Sequence, residues 1–342
     1  MTRKPARFPL VILGSVLLTS LFIGWDSWAS PSSGLLDEMD VKVVPTEIAI
    51  TVDDLPSHGD VYPGTTPVMV ASELIAALKG AGSPPVYGFS NGEPLEWAPA
   101  NIEVLRLWRD AGLSLGNHTY SHVDLGLVSV EEFVADIERM DAQLAPWIEG
   151  QQGQKLFRYP YLSEGDTPDK RQRIRKYLQN HGYRIAPVTV DFNDWAWNAA
   201  YFECSKEGND DAIEWLRKRV VRAAYYRLAH AQQLAQLLLG RDIKHILLLH
   251  MSAFTARTLP DILATLKAQG VRFISLDAAL SDPIYNVDPN QLVQRDTTFL
   301  MQLKALYQVD ALHLESLYRA ARLDDAGFAC LRLRKPPQVV VE

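Results

Sequence analysis

From Thr46 to about residue 280 the chain repeats one unit: a short β-rich run, a helical pattern, then a glycine. The strand candidates are Glu47–Asp53, Pro85–Ser90, Leu113–His118, Leu156–Tyr161, Tyr183–Val190, Ile243–His250 and Val271–Leu276. Helical patterns lie between them near Val68–Lys79, Ala100–Asp110, Val130–Ile148, Pro168–Asn180 and Thr258–Gln269, each ending close to Gly80, Gly112, Gly150, Gly182 or Gly270. Glycine closes a helix best because it adopts the left-handed conformation without steric cost. Strand, helix and strand in succession imply parallel strands with crossover helices, because parallel neighbours cannot be joined by a tight turn. About seven such strands predict an α/β fold, an irregular (β/α) barrel more than a doubly wound sheet. No glycine-rich phosphate loop follows the first strand, which counts against a nucleotide site.

Two stretches break the rhythm. Asn209 to Gly240 is one long helical pattern with Asn209 as N-cap and Gly240 as terminator, inside a helical insertion over 196–245. Beyond 280 comes a C-terminal extension, 281–342, with helical patterns near Asp296–Leu306 and Ala311–Leu323. At the other end, Arg3, Lys4 and Arg7 precede an apolar run from Phe8 to Trp25, and Ser27-Trp28-Ala29 resembles a cleavage site. Residues 1–30 therefore read as a signal peptide or as an anchor through 8–25, followed by a linker over 31–45. Either way the body of the chain is expected outside the cytoplasm, periplasmic or secreted. Cys204 and Cys330 are the only cysteines, and in an exported chain they read equally as a bridge or as two buried thiols. With 342 residues and a formal charge of −7, and no long basic run after the N-terminus, nucleic-acid binding is excluded as an expectation.

The chemistry sits at strand tips. Asp53 and Asp54 end the first apolar run, and His118 and His122 follow the third. At i and i+4 the two imidazoles are expected on one face of a helical turn. One carboxylate and two imidazoles make a three-donor zinc set with a position left open, the arrangement of a catalytic site, and the other aspartate is then available as a base. Both motifs fall at the C-terminal ends of parallel strands, where barrel enzymes gather their active sites.

Five ordered segments carry a family resemblance. They are Thr51-Val52-Asp53-Asp54-Leu55-Pro56, Asn117-His118-Thr119-Tyr120-Ser121-His122, Phe157-Arg158-Tyr159-Pro160-Tyr161, Val190-Asp191-Phe192-Asn193-Asp194-Trp195 and Ile246-Leu247-Leu248-Leu249-His250. Together, over 46–280, they resemble the polysaccharide deacetylase family, carbohydrate esterase family 4. The resemblance implies that Asp54, His118 and His122 bind a divalent metal, zinc first among them, and that Asp53 is the general base with Arg158 as its partner. It also implies that the Tyr161 backbone N–H stabilises the oxyanion, that His250 protonates the leaving amine with Asp194 orienting it, and that Trp195 and Leu248 line the acetyl pocket. Asp191 competes with Asp194 for the orienting role. His58 reads as a solvated loop histidine.

Three departures touch the family pattern: Leu55 replaces a glycine in the first motif, Leu162 stands where the third usually has one, and Met251 follows His250 where the family often has an acid. The two leucines are expected to reshape the cleft rim. The function implied is removal of N-acetyl groups from an envelope or extracellular amino-sugar glycan. The alternatives are O-acetyl ester or non-sugar amide hydrolysis on the same fold, and a glycan-binding protein with a relic site.

Overall fold

The computed structural model describes residues 43–59, 64–292 and 295–320. The expected export segment, most of the linker and Cys330 lie outside them. Seven parallel strands form one sheet: β1 (Glu47–Leu55), β2 (Tyr87–Ser90), β3 (Ser114–Asn117), β4 (Leu156–Phe157), β5 (Arg184–Ile185), β6 (His245–His250) and β7 (Arg272–Ile274). Their order is β5-β4-β3-β2-β1-β6, with β7 beside the start of β1. The ring closes after β5. Thr189 N–H donates to the Ile246 carbonyl and Leu248 N–H to that of Val190, both at 3.0 Å, so residues 189–190 join β6.

The helices lie between and around the strands: α1 (Pro67–Gly80), α2 (Glu93–Trp97), α3 (Pro99–Asp110), α4 (Val130–Ile148), α5 (Pro168–Asn180), α6 (Asp194–Lys206), α7 (Asp210–Leu239), α8 (Ala253–Ala268), α9 (Leu276–Leu280), α10 (Phe299–Tyr307) and α11 (Glu315–Ala320). Several starts are written in side chains. Ser129 and Glu132 form a reciprocal capping box on α4, and Asn209 accepts from Ala212 N–H to open α7. Gly240 ends α7 at φ 67°. No helix among the described residues is long and apolar enough to cross a membrane.

Period-two alternation in β1 decides what goes where. Ile48, Ile50 and Val52 join the cluster that includes the helices, while Ala49 joins Phe89, Leu156, Ala186 and Ile246 in the second. Each buried Ile, Val or Phe contributes roughly 1.5–3 kcal/mol of transfer free energy. The face that Ala49 occupies also carries Thr51 and then Asp53, small and polar residues that leave room for a charged group.

Several boundaries differ from the sequence expectation, and three of them have a clear local cause. β4 stops at Phe157 because Pro160 has no N–H for a ladder and Tyr161 and Leu162 take φ 56° and 52°, producing a 3-10 turn over Pro160–Leu162. β5 is cut to Arg184–Ile185, with Pro187 following, before the chain re-pairs with β6. α8 begins at Ala253 and not Thr258, capped by Ser252. Cys204, on α6, is disulfide-bonded.

Candidate active site

Neighbouring side chains in a regular strand point to opposite faces, yet Asp53 and Asp54 line the same cavity. Asp54 takes φ 61°, a left-handed conformation that aspartate tolerates, and this breaks the alternation at the strand tip. The two imidazoles converge by a similar route. Residues 118–122 form no helical turn, contrary to the sequence expectation. Instead Thr119 and His122 adopt φ 64° and 54°, folding the chain back so that the imidazole centroids lie 4.9 Å apart. His118 Nε2 and His122 Nε2 stand 3.4 and 3.3 Å from Asp54 Oδ1.

These three side chains fit a divalent cation. Their donor atoms lie within 4.8 Å of one another. Asp54 Oδ1 is buried without a hydrogen bond in good geometry and faces both imidazole Nε2 atoms. His118 Nδ1–H donates to the Arg158 carbonyl at 2.8 Å, a bond that fixes the tautomer and leaves Nε2 as a lone-pair donor. Burial holds the His122 imidazole down at about 4, so it is neutral and able to ligate at ordinary pH. Burial works against charge on Asp54, but His122, His118 and His58 hold its carboxyl well below the usual range.

Asp53 has a separate partner. Arg158 Nη1 lies 3.2 Å from both of its carboxylate oxygens, Nη2 reaches Thr51 Oγ1 at 3.2 Å, and Nε donates to the Ala186 carbonyl at 2.7 Å. The guanidinium sits 4.5 Å from the Phe89 ring centroid. Phe89 has its place because residue 116 is glycine: a Cβ there would meet Phe89 Cδ1 at 2.6 Å. Asp53 Oδ2 also lies 3.6 Å from His118 Nε2, which puts this carboxylate beside the three-donor set.

Across the cavity stands His250. Its Nδ1 bonds Asp194 Oδ1 at 2.7 Å, while its backbone N–H and Thr255 Oγ1 both donate to Asp194 Oδ2 at 2.7 Å. Burial disfavours the imidazolium, but Asp194, then Asp54 and Asp53, push its pKa up to about 10. Asp191 takes no part in this orientation. Its Oδ1 accepts the Asn193 N–H at 2.7 Å, and burial raises its carboxyl to about 6.

The cavity measures about 200 Å³, and Tyr161, Trp195, Leu248 and Leu162 also line it. Leu55 does not: it is fully buried in the outer cluster, its methyls against Gly88, so the expectation that it shapes the rim is corrected. A larger cavity, about 1030 Å³, runs along α5 but contains none of the carboxylate and imidazole set.

Sequence alone did not place three lining residues in the site. His58 lies in a loop and is partly exposed, but it is not a free solvated side chain; its Nδ1–H donates to Asp54 Oδ2 at 2.6 Å and its ring stands 5.2 Å from that of His250. The i, i+4 spacing from Asp54 was the only local signal. Arg295 and Asp296 come from the C-terminal extension. Arg295 Nε donates to Asp124 Oδ2 at 2.5 Å and its guanidinium lies 4.2 Å from the Tyr161 ring centroid, while Asp296 N–H donates to the Tyr161 carbonyl at 2.9 Å. Nothing near them in sequence announces that location.

A family model for polysaccharide deacetylases matches residues 40–186. That region belongs to the polysaccharide deacetylase family. The deacetylase region holds Asp53, Asp54, His118, His122, Arg158 and Tyr161; Asp194 and His250 lie past it and rest on the geometry above. A chitin deacetylase of Arthroderma benhamiae is 24% identical over 241 residues, 70% of this chain and 53% of the relative. The chain thus spans about half the length of the curated relative it matches. A family 4 carbohydrate esterase from Streptomyces lividans, solved with acetate, is 22% identical with a TM-score of 0.43, covering 69% of this chain and 97% of that one. BA3943, a family 4 pseudoenzyme from Bacillus anthracis, is 19% identical with a TM-score of 0.43, covering 69% and 66%. At these identities the solved structures stand as resemblances, and the topology rests on this chain's own hydrogen bonds.

Proposed function

We propose that the protein is a metal-dependent hydrolase that removes N-acetyl groups from an amino-sugar glycan of the cell envelope or exterior. One observation carries this reading: Asp54, His118 and His122 converge while Asp53, held apart by Arg158, stays free beside them. A binding module needs no such division of two adjacent carboxylates.

Asp54, His118 and His122 would hold the cation, with zinc suited to one carboxylate and two imidazoles. When bound, it supplies the positive charge that polarises a carbonyl and lowers the pKa of water. Asp53 is the general base, held toward the cavity by the Arg158 guanidinium, and takes a proton from the attacking water. The Tyr161 backbone N–H contributes to holding the developing oxyanion. His250, with Nδ1 committed to Asp194, delivers a proton from Nε2 to the departing amine. Trp195, Leu248 and Leu162 enclose the acetyl methyl.

The basic and apolar N-terminal segment and the disulfide-bonded state of Cys204 support export to the periplasm or beyond, with or without anchoring through residues 8–25. Leu162, where the family usually has glycine, lines the cavity and favours one second reading: O-acetyl ester or non-sugar amide hydrolysis with the same groups. The test is acetate release by full-length protein from N-acetylglucosamine oligomers, peptidoglycan, O-acetylated xylan and small acetamides. Release from the N-acetylated glycans, stopped by a chelator and restored by zinc, is expected. Release confined to esters or small amides would replace the main reading with the second.

A further inference from the structure

The insertion helix α7 carries a charged group that the hydrolytic site does not use. Arg227 is 8% exposed, yet among the described residues its guanidinium has no ion pair and no hydrogen bond, and Nε is buried without a partner. Its described contact is the Tyr318 ring of α11, 3.7 Å from Cζ. A cation–π contact offsets only part of what a buried, unpaired guanidinium loses on leaving water.

The guanidinium faces a cavity of about 230 Å³ lined also by Thr189, Asn193, His230 and Thr298. Two carboxylates share it. Asp191 is engaged by the Asn193 N–H, and neither Asp191 nor Asp296 forms an ion pair with Arg227 among the described residues. Arg295, a second cation, lines it too. Asp191, Arg295 and Asp296 line the catalytic cavity as well, so the two spaces share a wall. A planar fork of N–H donors, hydroxyl and amide groups around it and a volume below that of a drug-sized pocket suit one oxyanion and the ring bearing it.

We propose that this second cavity binds a carboxylate or phosphoryl oxyanion, with Arg227 as its counter-ion. Resting on the deacetylase reading, the nearest source is an acidic substituent on the acetylated glycan; a free anion offers the same chemistry. The insertion then selects substrate by charge.

Calorimetric titration of full-length protein with inorganic phosphate and with glucuronate tests the site itself. Both are expected to bind, about 10-fold or more weakly in Arg227→Met, with partial recovery in Arg227→Lys. Acetate release from neutral and from carboxylate-bearing N-acetylated oligomers separates the sources. An acidic-over-neutral ratio of kcat/KM well above one, collapsing in Arg227→Met, assigns the site to the substrate. Anion binding that depends on Arg227 without that ratio assigns it to a free anion. Absence of binding and of preference in the wild type overturns the proposal even if Arg227→Met fails to fold, and so does equal binding in a folded Arg227→Met. Arg227-dependent binding with no acetate release from any glycan sinks the deacetylase reading alone.

Discussion

Asp194 meets the His250 side chain, the His250 backbone N–H and the Thr255 hydroxyl, and this threefold hold makes the imidazole an acid at neutral pH. Asp194→Asn is expected to lower acetate release about 10²–10⁴-fold and to move the basic limb of the pH–rate profile from about 10 toward the ordinary histidine range. The raised pKa also sets a sign for stability. Because His250 binds its proton more tightly folded than unfolded, its contribution is full below the unfolded value of 6.5 and is lost as pH rises toward about 10. Melting temperature should therefore fall more steeply between pH 7 and 10 in the wild type than in Asp194→Asn. His58 permits a second test: His58→Ala removes the donor that orients Asp54, and zinc affinity by competition with a chromophoric chelator should drop about 10–100-fold with the fold intact. The residues proposed for the chemistry could be named from sequence because each lies at or soon after the end of a β-rich run in a short, dense motif. His58 was not, because a histidine in a loop gains its partner only when Asp54 turns left-handed. Leu55 misled for the opposite reason: its neighbours Asp53 and Asp54 line the cavity, but the break in alternation at Asp54 sends its own side chain to the outer core.

Among the elements, β1 and β4 depend on one another through Arg158. Its guanidinium crosses the barrel interior to Asp53 and Thr51, and Arg158→Met leaves a buried carboxylate without its cation. The expected loss is about 3–5 kcal/mol in urea unfolding, together with acetate release. Gly116→Ala acts one layer further back. Its Cβ would crowd Phe89 and approach the Leu156 carbonyl at 3.1 Å, which should cost about 1–3 kcal/mol by the same measurement and disturb the seat of Arg158. Helices such as α4 and α7, bracketed by a cap and a glycine, were legible to within a residue or two, whereas the start of α8 at its Ser252 cap was missed. The strands β4 and β5 were overestimated because β-rich composition continues past the point where Pro160 and Pro187 interrupt the ladder.

At the scale of the whole molecule, a ring of parallel strands gathers residues from 53 to 250 at one end, and the two additions that break the strand–helix rhythm both reach that end. The insertion supplies Arg227 and the C-terminal extension supplies Arg295 and Asp296. Arg295 pairs with Asp124 at a sequence separation of 171, a contact no local pattern encodes. The central claim is that one cation is held by Asp54, His118 and His122 while Asp53 stands apart from it as the base. Metal content and acetate release, measured together on full-length wild type, Asp53→Asn and His118→Ala, address it directly. About one equivalent of zinc in wild type and Asp53→Asn, with release lost about 10³-fold or more in Asp53→Asn, and neither metal nor release in His118→Ala, is the expected result. Metal lost equally from Asp53→Asn and His118→Ala, or release undiminished in Asp53→Asn, would contradict it.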